Sequence, residues 1–166
     1  RILVLSGPSG AGKTTIVKHL ERDPRLASSI SATTRPRRPN EVEGTDYYFL
    51  TREQFAEWQA AGEFIETAEH FGNRYGTPRR GLQAIHAAGR VPLLDVDVQG
   101  VRELRRLGYP GVYVFIRPPD RETLRQRLVQ RGTTPEEMER RLARYEWEMS
   151  QSKELYDFEV EKRELD

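Results

Sequence analysis

The apolar positions fall in short runs separated by polar and glycine-rich stretches, and the spacing within each run predicts its element. Ile2–Leu5 is an unbroken aliphatic run, a strand, bounded by Ser6-Gly7-Pro8-Ser9-Gly10. From Lys13 to about Asp23 the apolar residues Ile16, Val17 and Leu20 recur at helical spacing, and Pro24 sets the stop. Arg35–Asp46 is charged, carries Pro36, Pro39 and Gly44, and reads as an exposed loop. Thr51 and Gln54 form a capping box for a helix that carries Phe55 and Trp58 and closes at Gly62. Phe64–Ala68 and Arg74–Gly76 predict short strands about a Gly72-Asn73 turn. Pro78–Gly89 predicts a helix with proline near its first position and glycine past its last.

In the second half, Val91–Val96 is apolar except near Asp95, the pattern of a strand buried on both faces. Helices are expected over Val101–Leu107, Arg121–Arg131 and Pro135 to about Lys153, and strands over Val112–Ile116 and Asp157–Glu161. Alternating strands and helices at this spacing argue an α/β fold with a parallel sheet flanked by helices. The stretch 31–77 is richer in short strands and reads as a small β-rich subdomain inserted into a core of 1–30, 78–123 and 154–166. Gly132-Thr133 supplies a break at which a helical lid, about 124–153, can turn. All of this is expected as one domain.

Charge and composition narrow the function classes. With 27 Lys+Arg against 26 Asp+Glu in 166 residues the formal net charge is +1, which argues against attachment to nucleic acid or anionic membrane by bulk charge. No run approaches the ~18 to 20 apolar residues of a membrane span. The absence of cysteine excludes a disulfide scaffold and a thiolate metal site, and fits a cytoplasmic address. The chain opens at Arg1 with a strand already under way and stops after a charged stretch, so both ends are expected to be trimmed. Composition gives no oligomeric state.

The chemistry begins at Gly7-Pro8-Ser9-Gly10-Ala11-Gly12-Lys13-Thr14, which satisfies G-x-x-x-x-G-K-[ST] between a strand run and a helical run. Glycines let successive backbone N–H groups converge on one spot, at which the following helix also aims its positive end. Lys13 adds a point charge for β- and γ-phosphates, and the Thr14 hydroxyl can ligate Mg²⁺. Asp95 and Asp97, two apart at the end of a hydrophobic strand, are expected on one face. A carboxylate at such an exit beside a phosphate loop commonly holds a metal's water shell or a substrate.

Ser31-Ala32-Thr33-Thr34-Arg35-Pro36-Arg37-Arg38, then Glu41, Gly44, Asp46 and Tyr47, followed by Phe64-Ile65-Glu66, Gly72-Asn73-Arg74-Tyr75-Gly76-Thr77 and Leu94-Asp95-Val96-Asp97, resembles the guanylate kinase family. The resemblance runs from Ile2 to about Leu142. It implies Mg²⁺-dependent phosphoryl transfer from ATP to GMP. ATP would lie on Gly7, Ser9, Gly10, Ala11, Gly12, Lys13, Thr14 and Thr15, with Arg127 and Arg131. GMP would lie on the 31–77 subdomain. There Arg35, Arg38, Tyr47 and Tyr75 are implied to hold its phosphate, and Glu66, Ser31 and Thr77 to read the base. Glu41, Asp95 and Asp97 complete the acceptor side. Arg127, Arg131 and Arg141 are implied to neutralise the transferring group, with Lys13 and Arg38 also catalytic. Arg127 and Arg131, four apart, are expected on one helix face. Three positions depart from the family's usual pattern: Arg74 stands where a tyrosine is usual, and Lys162-Arg163 where an Asn-Asp pair is usual. Two alternatives remain, a P-loop kinase of the same build with another small phosphorylated acceptor and a non-catalytic scaffold.

Overall fold

The computed structural model describes residues 1–8 and 10–163. Strand β1 (Ile2–Ser6) lies at the centre of the main sheet and leads through the glycine loop into α1 (Lys13–Leu20), two to three residues shorter than the spacing predicts. β2 (Leu26–Ser28), which the sequence pattern does not announce, hands the chain to the subdomain. That unit contains β3 (Ala32–Thr33), β4 (Tyr48–Phe49), α2 (Arg52–Ala60), β5 (Phe64–His70) and β6 (Asn73–Pro78). The chain returns through α3 (Arg79–Ala87), β7 (Val91–Asp95), α4 (Val98–Arg106) and β8 (Gly111–Arg117). It ends in α5 (Arg121–Gln130), α6 (Pro135–Leu155) and β9 (Phe158–Glu161).

The main sheet runs β2-β7-β1-β8-β9, every pair parallel. Both faces are covered, so neighbouring positions on one strand enter opposite clusters. Ile2, Val4 and Leu94 pack with Leu82 of α3 and Val101 and Leu104 of α4. Leu5 and Leu93 pack on the other side, against Ile16, Val17 and Leu20 of α1. The apolar run at Val91–Val96 thus has the two-faced burial expected of it. Gly7 closes β1 where a Cβ would stand 2.0 Å from the carbonyl oxygen of Ile116, so only glycine lets the loop leave the sheet here.

The second sheet runs β4-β3-β6-β5 and packs Ala32, Phe55 and Phe64 with Tyr48, Leu50 and Trp58. Thr51 caps α2 with the predicted box: its side chain accepts from the Gln54 N–H, and the Gln54 side chain accepts from its own. β5 and β6 pair antiparallel, with a bulge between Phe64 and Glu66. The bulge sends neighbours to different cores, Phe64 into the subdomain and Ile65 into the main cluster. A Cβ on Gly76 would stand 2.8 Å from the Phe64 ring, so the opposing strand leaves that ring its room.

Other element boundaries differ from the pattern as well. Pro78 is the last residue of β6 and the N-cap of α3 rather than a first helical residue. α4 opens at Val98, not Val101, because Asp97 caps it by accepting from the Gly100 N–H. The β5 and β6 strands each outrun their apolar cores, reaching His70 and Asn73 across a two-residue turn.

Candidate active site

The glycine loop wraps toward the start of α1. The Ala11 N–H donates to the Pro8 carbonyl at 3.1 Å, and Gly12 sits at φ 93° as the N-cap. No side chain caps this helix and no acid stands in its first turn, so no acid of the helix itself offsets its positive N-terminal end. Lys13 Nζ donates to Asp95 Oδ1 at 2.8 Å. Burial works against the ammonium, but attraction and a hydrogen bond from Asp95, with help from Glu148, hold its pKa above the ordinary lysine value. Gly7, Gly10, Ala11, Gly12, Lys13 and Thr14 line a cavity of about 420 Å³ together with Arg131. Thr15 follows on the exposed side of the first turn. Ser9 lies outside the described residues.

Beside it opens a second cleft of about 410 Å³ lined by Ser31, Arg35, Arg38, Tyr47, Glu66 and Tyr75 from the subdomain. Lys13, Arg38, Tyr47, Asp95, Asp97 and Arg141 line both cavities, so the two meet along that wall. Glu41 stands behind it. Its carboxylate accepts both arms of the Arg35 fork, at 2.9 and 2.8 Å, and the Arg38 backbone N–H at 2.8 Å. The Arg35 hydrogen bonds hold the Glu41 pKa down and raise that of Arg35. Glu41 therefore holds the Arg35 guanidinium and the Arg38 backbone in place without itself lining the cleft. Tyr47 and Tyr75 meet edge to face at 6.1 Å.

Glu66 is a buried carboxylate of the cleft. It is 5% exposed, and Thr77 Oγ1 donates to its Oε1 at 2.5 Å. Oε2 is buried without a partner. Burial pushes the Glu66 pKa up to about 7 against the opposing pull of Thr77. Thr77, expected to read the base, is fully buried, and its hydroxyl donates a hydrogen bond to Glu66.

Asp95 and Asp97 both reach the cleft, but not as neighbours on one strand face. Asp95 ends β7 and pairs with Lys13; Asp97 lies beyond the strand, its Oδ1 accepting from the Gly100 N–H at 2.9 Å. Asp97 Oδ2 meets His70 Nδ1 at 3.2 Å and Arg144 Nη2 at 3.3 Å. Burial alone would raise the Asp97 pKa; His70, the Gly100 N–H and Arg144 bring it below the usual value.

The arginines expected on the transferring group separate. Arg131 lines the glycine-loop cavity, and Arg141 lines both cavities while its Nε donates to Glu137 at 2.8 Å. Arg127 is turned away from the cleft. Its guanidinium donates to the carbonyls of Gly10 (3.2 Å), Lys162 (3.0 Å) and Arg163 (2.7 Å). The expected shared face fails because Arg131 is already the C-cap of α5, and Gly132 follows at φ 74°. Lys162 and Arg163 are thus tied to the loop through their backbone. His70, Phe71, Arg140 and Glu148 also line these cavities, and Arg144 lines a smaller one beside the hairpin tip. Sequence reasoning missed them as site residues: the hairpin tip has no motif, and α6 is legible only as a long helix laced with opposite charges. The i, i+4 pair Arg144–Glu148 was the available signal. Among the described residues no group of three or more His, Cys, Asp or Glu side chains could hold a metal ion, and no helix is long and apolar enough to cross a membrane.

A family model described as guanylate kinase matches residues 1–166. The guanylate kinase of Sus scrofa is 46% identical over 171 residues, covering 100% of this chain and 86% of that protein. That of Homo sapiens is 47% identical, covering 96% and 83%. That of Gloeobacter violaceus is 49% identical, covering 90% and 74%. The crystal structure of guanylate kinase from Anaplasma phagocytophilum superposes with a TM-score of 0.79 at 37% identity, over 99% of this chain and 77% of that one.

Proposed function

The chain belongs to the guanylate kinase family, and from that premise we propose how its cleft carries out the family's reaction, phosphoryl transfer from ATP to GMP giving ADP and GDP. This reaction asks little covalent work of a protein. It needs the acceptor oxygen in line with the γ-phosphorus, charge neutralisation and exclusion of water. ATP phosphates take the Gly7–Thr14 loop, and Lys13 moves from Asp95 to the β- and γ-oxygens as charge develops there. Arg35 and Arg38 present planar forks to the GMP phosphate, and Tyr47 and Tyr75 complete its shell with hydroxyls. Arg131 and Arg141 neutralise the transferring group from the lid side. No general base is needed, because the nucleophile is already a phosphate oxygen.

Guanine presents N1–H and a 2-amino group to Glu66, with Asp97 and Ser31 at the same pocket. Adenine presents a bare N1 lone pair, which would leave the carboxylate facing an acceptor. A buried polar group left unpaired can reject a substrate by orders of magnitude. Mg²⁺ fits the donor set. A hard cation held mostly by phosphates and water needs few protein ligands, and the Thr14 hydroxyl, with Asp95 nearby, supplies oxygen at the loop. When bound, it would neutralise phosphate charge.

The observation that carries this reading is Glu66, buried with one unpartnered oxygen in the cleft that also holds Lys13 and the phosphate-facing arginines. A coupled ADP-release assay over GMP, dGMP, AMP, CMP and UMP tests it. GMP is expected to exceed AMP by at least ~10³ in kcat/KM; equal turnover of AMP would refute the assignment of the base pocket.

A further inference from the structure

The turn joining β5 to β6 breaks its own chemistry. His70 pairs with Asn73, leaving Phe71 and Gly72 as a two-residue connection, with φ 48° and 77°. Such turns favour Asn-Gly or Gly-Gly, because both central residues adopt the left-handed conformation. Phe71 is the one non-glycine residue with positive φ among the described residues, and it is 37% exposed. Neither burial nor turn preference selects a phenyl ring here, and backbone held against its preference is a marker of function.

The ring has a partner on the lid. The Arg141 guanidinium lies 5.3 Å from its centroid, and the His70 ring braces it edge-on at 4.4 Å. One turn along α6 the same two elements meet again, where Arg144 and His70 share Asp97 Oδ2. A cavity of about 350 Å³ separates the tip from α4 and α6 beside these pairs, so they meet through paired groups and not a packed core.

We propose that the β5–β6 tip docks the lid helix, with Phe71 a positioning residue that sets the Arg141 guanidinium over the shared wall of the cleft. This rests on the reading of Arg141 as a charge-neutralising arginine. Acceptor subdomain and lid then set each other's position, since the tip belongs to the strand that carries Glu66. Cation–π contacts of this kind persist with any aromatic ring and vanish with an aliphatic one.

The test is steady-state kinetics and thermal melting of Phe71→Tyr, Phe71→Leu and Phe71→Gly, alone and with Arg141→Met. Phe71→Tyr should keep kcat within about twofold, whereas Leu and Gly should each lower it roughly three- to tenfold, with a smaller change in KM for GMP. Phe71→Gly should also melt at or above the parent temperature, because it relieves the turn. Phe71→Leu should cost nothing further beside Arg141→Met. A Phe71→Gly enzyme with parent kcat would reduce Phe71 to a turn residue and overturn the proposal. So would an undiminished Leu effect beside Arg141→Met. If Arg141→Met alone keeps kcat, the reading of Arg141 fails and takes the proposal with it. If it lowers kcat while Phe71→Leu and Phe71→Gly do not, the docking proposal alone fails.

Discussion

Replacing Glu66 by glutamine should improve the fold and ruin the enzyme, and the two effects have one cause. Burial holds the Glu66 carboxyl near pH 7, against 4.5 for the group in water. The folded protein therefore keeps a proton that the unfolded chain has released, so stability is full below about pH 4.5 and declines as pH rises through 7. By pH 8 the ionised group costs on the order of 3 kcal/mol. Glutamine can still accept the Thr77 hydroxyl but never ionises. For a domain of this size each recovered kcal/mol is worth about 2–4 °C, so Glu66→Gln should melt several degrees above the parent at pH 8 and close to it at pH 5. Activity should move the other way, because the amide cannot accept both guanine donors. In the parent enzyme the ionised carboxylate is the binding form, and KM for GMP should rise about tenfold from pH 8 to pH 6. GMP's own phosphate titrates near pH 6, so the comparison is with Glu66→Gln, which retains only that phosphate contribution. Calorimetry and the coupled assay across pH 5–8 provide both readouts. A variant that melts below the parent at pH 8 would refute the argument, as would identical pH profiles of KM.

Two other substitutions separate catalytic from structural cations. Lys13→Met should lower kcat by orders of magnitude with the fold intact, since its charge matters most at the developing transition state; single-turnover rates near the parent value would deny the loop its catalytic role. Arg127→Met should behave in reverse, because the carbonyls of Gly10, Lys162 and Arg163 lose a buried donor. A loss of about 3 kcal/mol in denaturant melts is expected from those unpaired groups, and a variant of parent stability would show that other donors replace it.

The local signals were written in the chain. The glycine loop between a strand and a helix is contiguous, and its chemistry depends on backbone curvature that the glycines themselves allow. The two-faced run at Val91–Val96 and the Thr51–Gln54 box were likewise legible, since each is settled within a few residues. Arg35, Tyr47, Glu66 and Tyr75 could be named as a group only through the family resemblance, because they are distant in sequence. Their grouping in one cleft belongs to the fold.

What the sequence could not decide depends on groups brought together from afar. β3 and β4 are two residues each, too short for any periodicity, and exist because β6 and the neighbouring chain offer hydrogen bonds. Arg127 and Arg131 look equivalent on a helical wheel, yet one is enclosed by carbonyls from both ends of the chain and the other stands past the helix end. The Thr77 hydroxyl donates to Glu66, a contact that no local pattern announces. Asp97 gains His70 and Arg144 from two other elements. Sequence fixes what each group can donate, accept or carry as charge. Which partner uses that capacity is set by burial and distance, and those come only from packing elements that are remote along the chain.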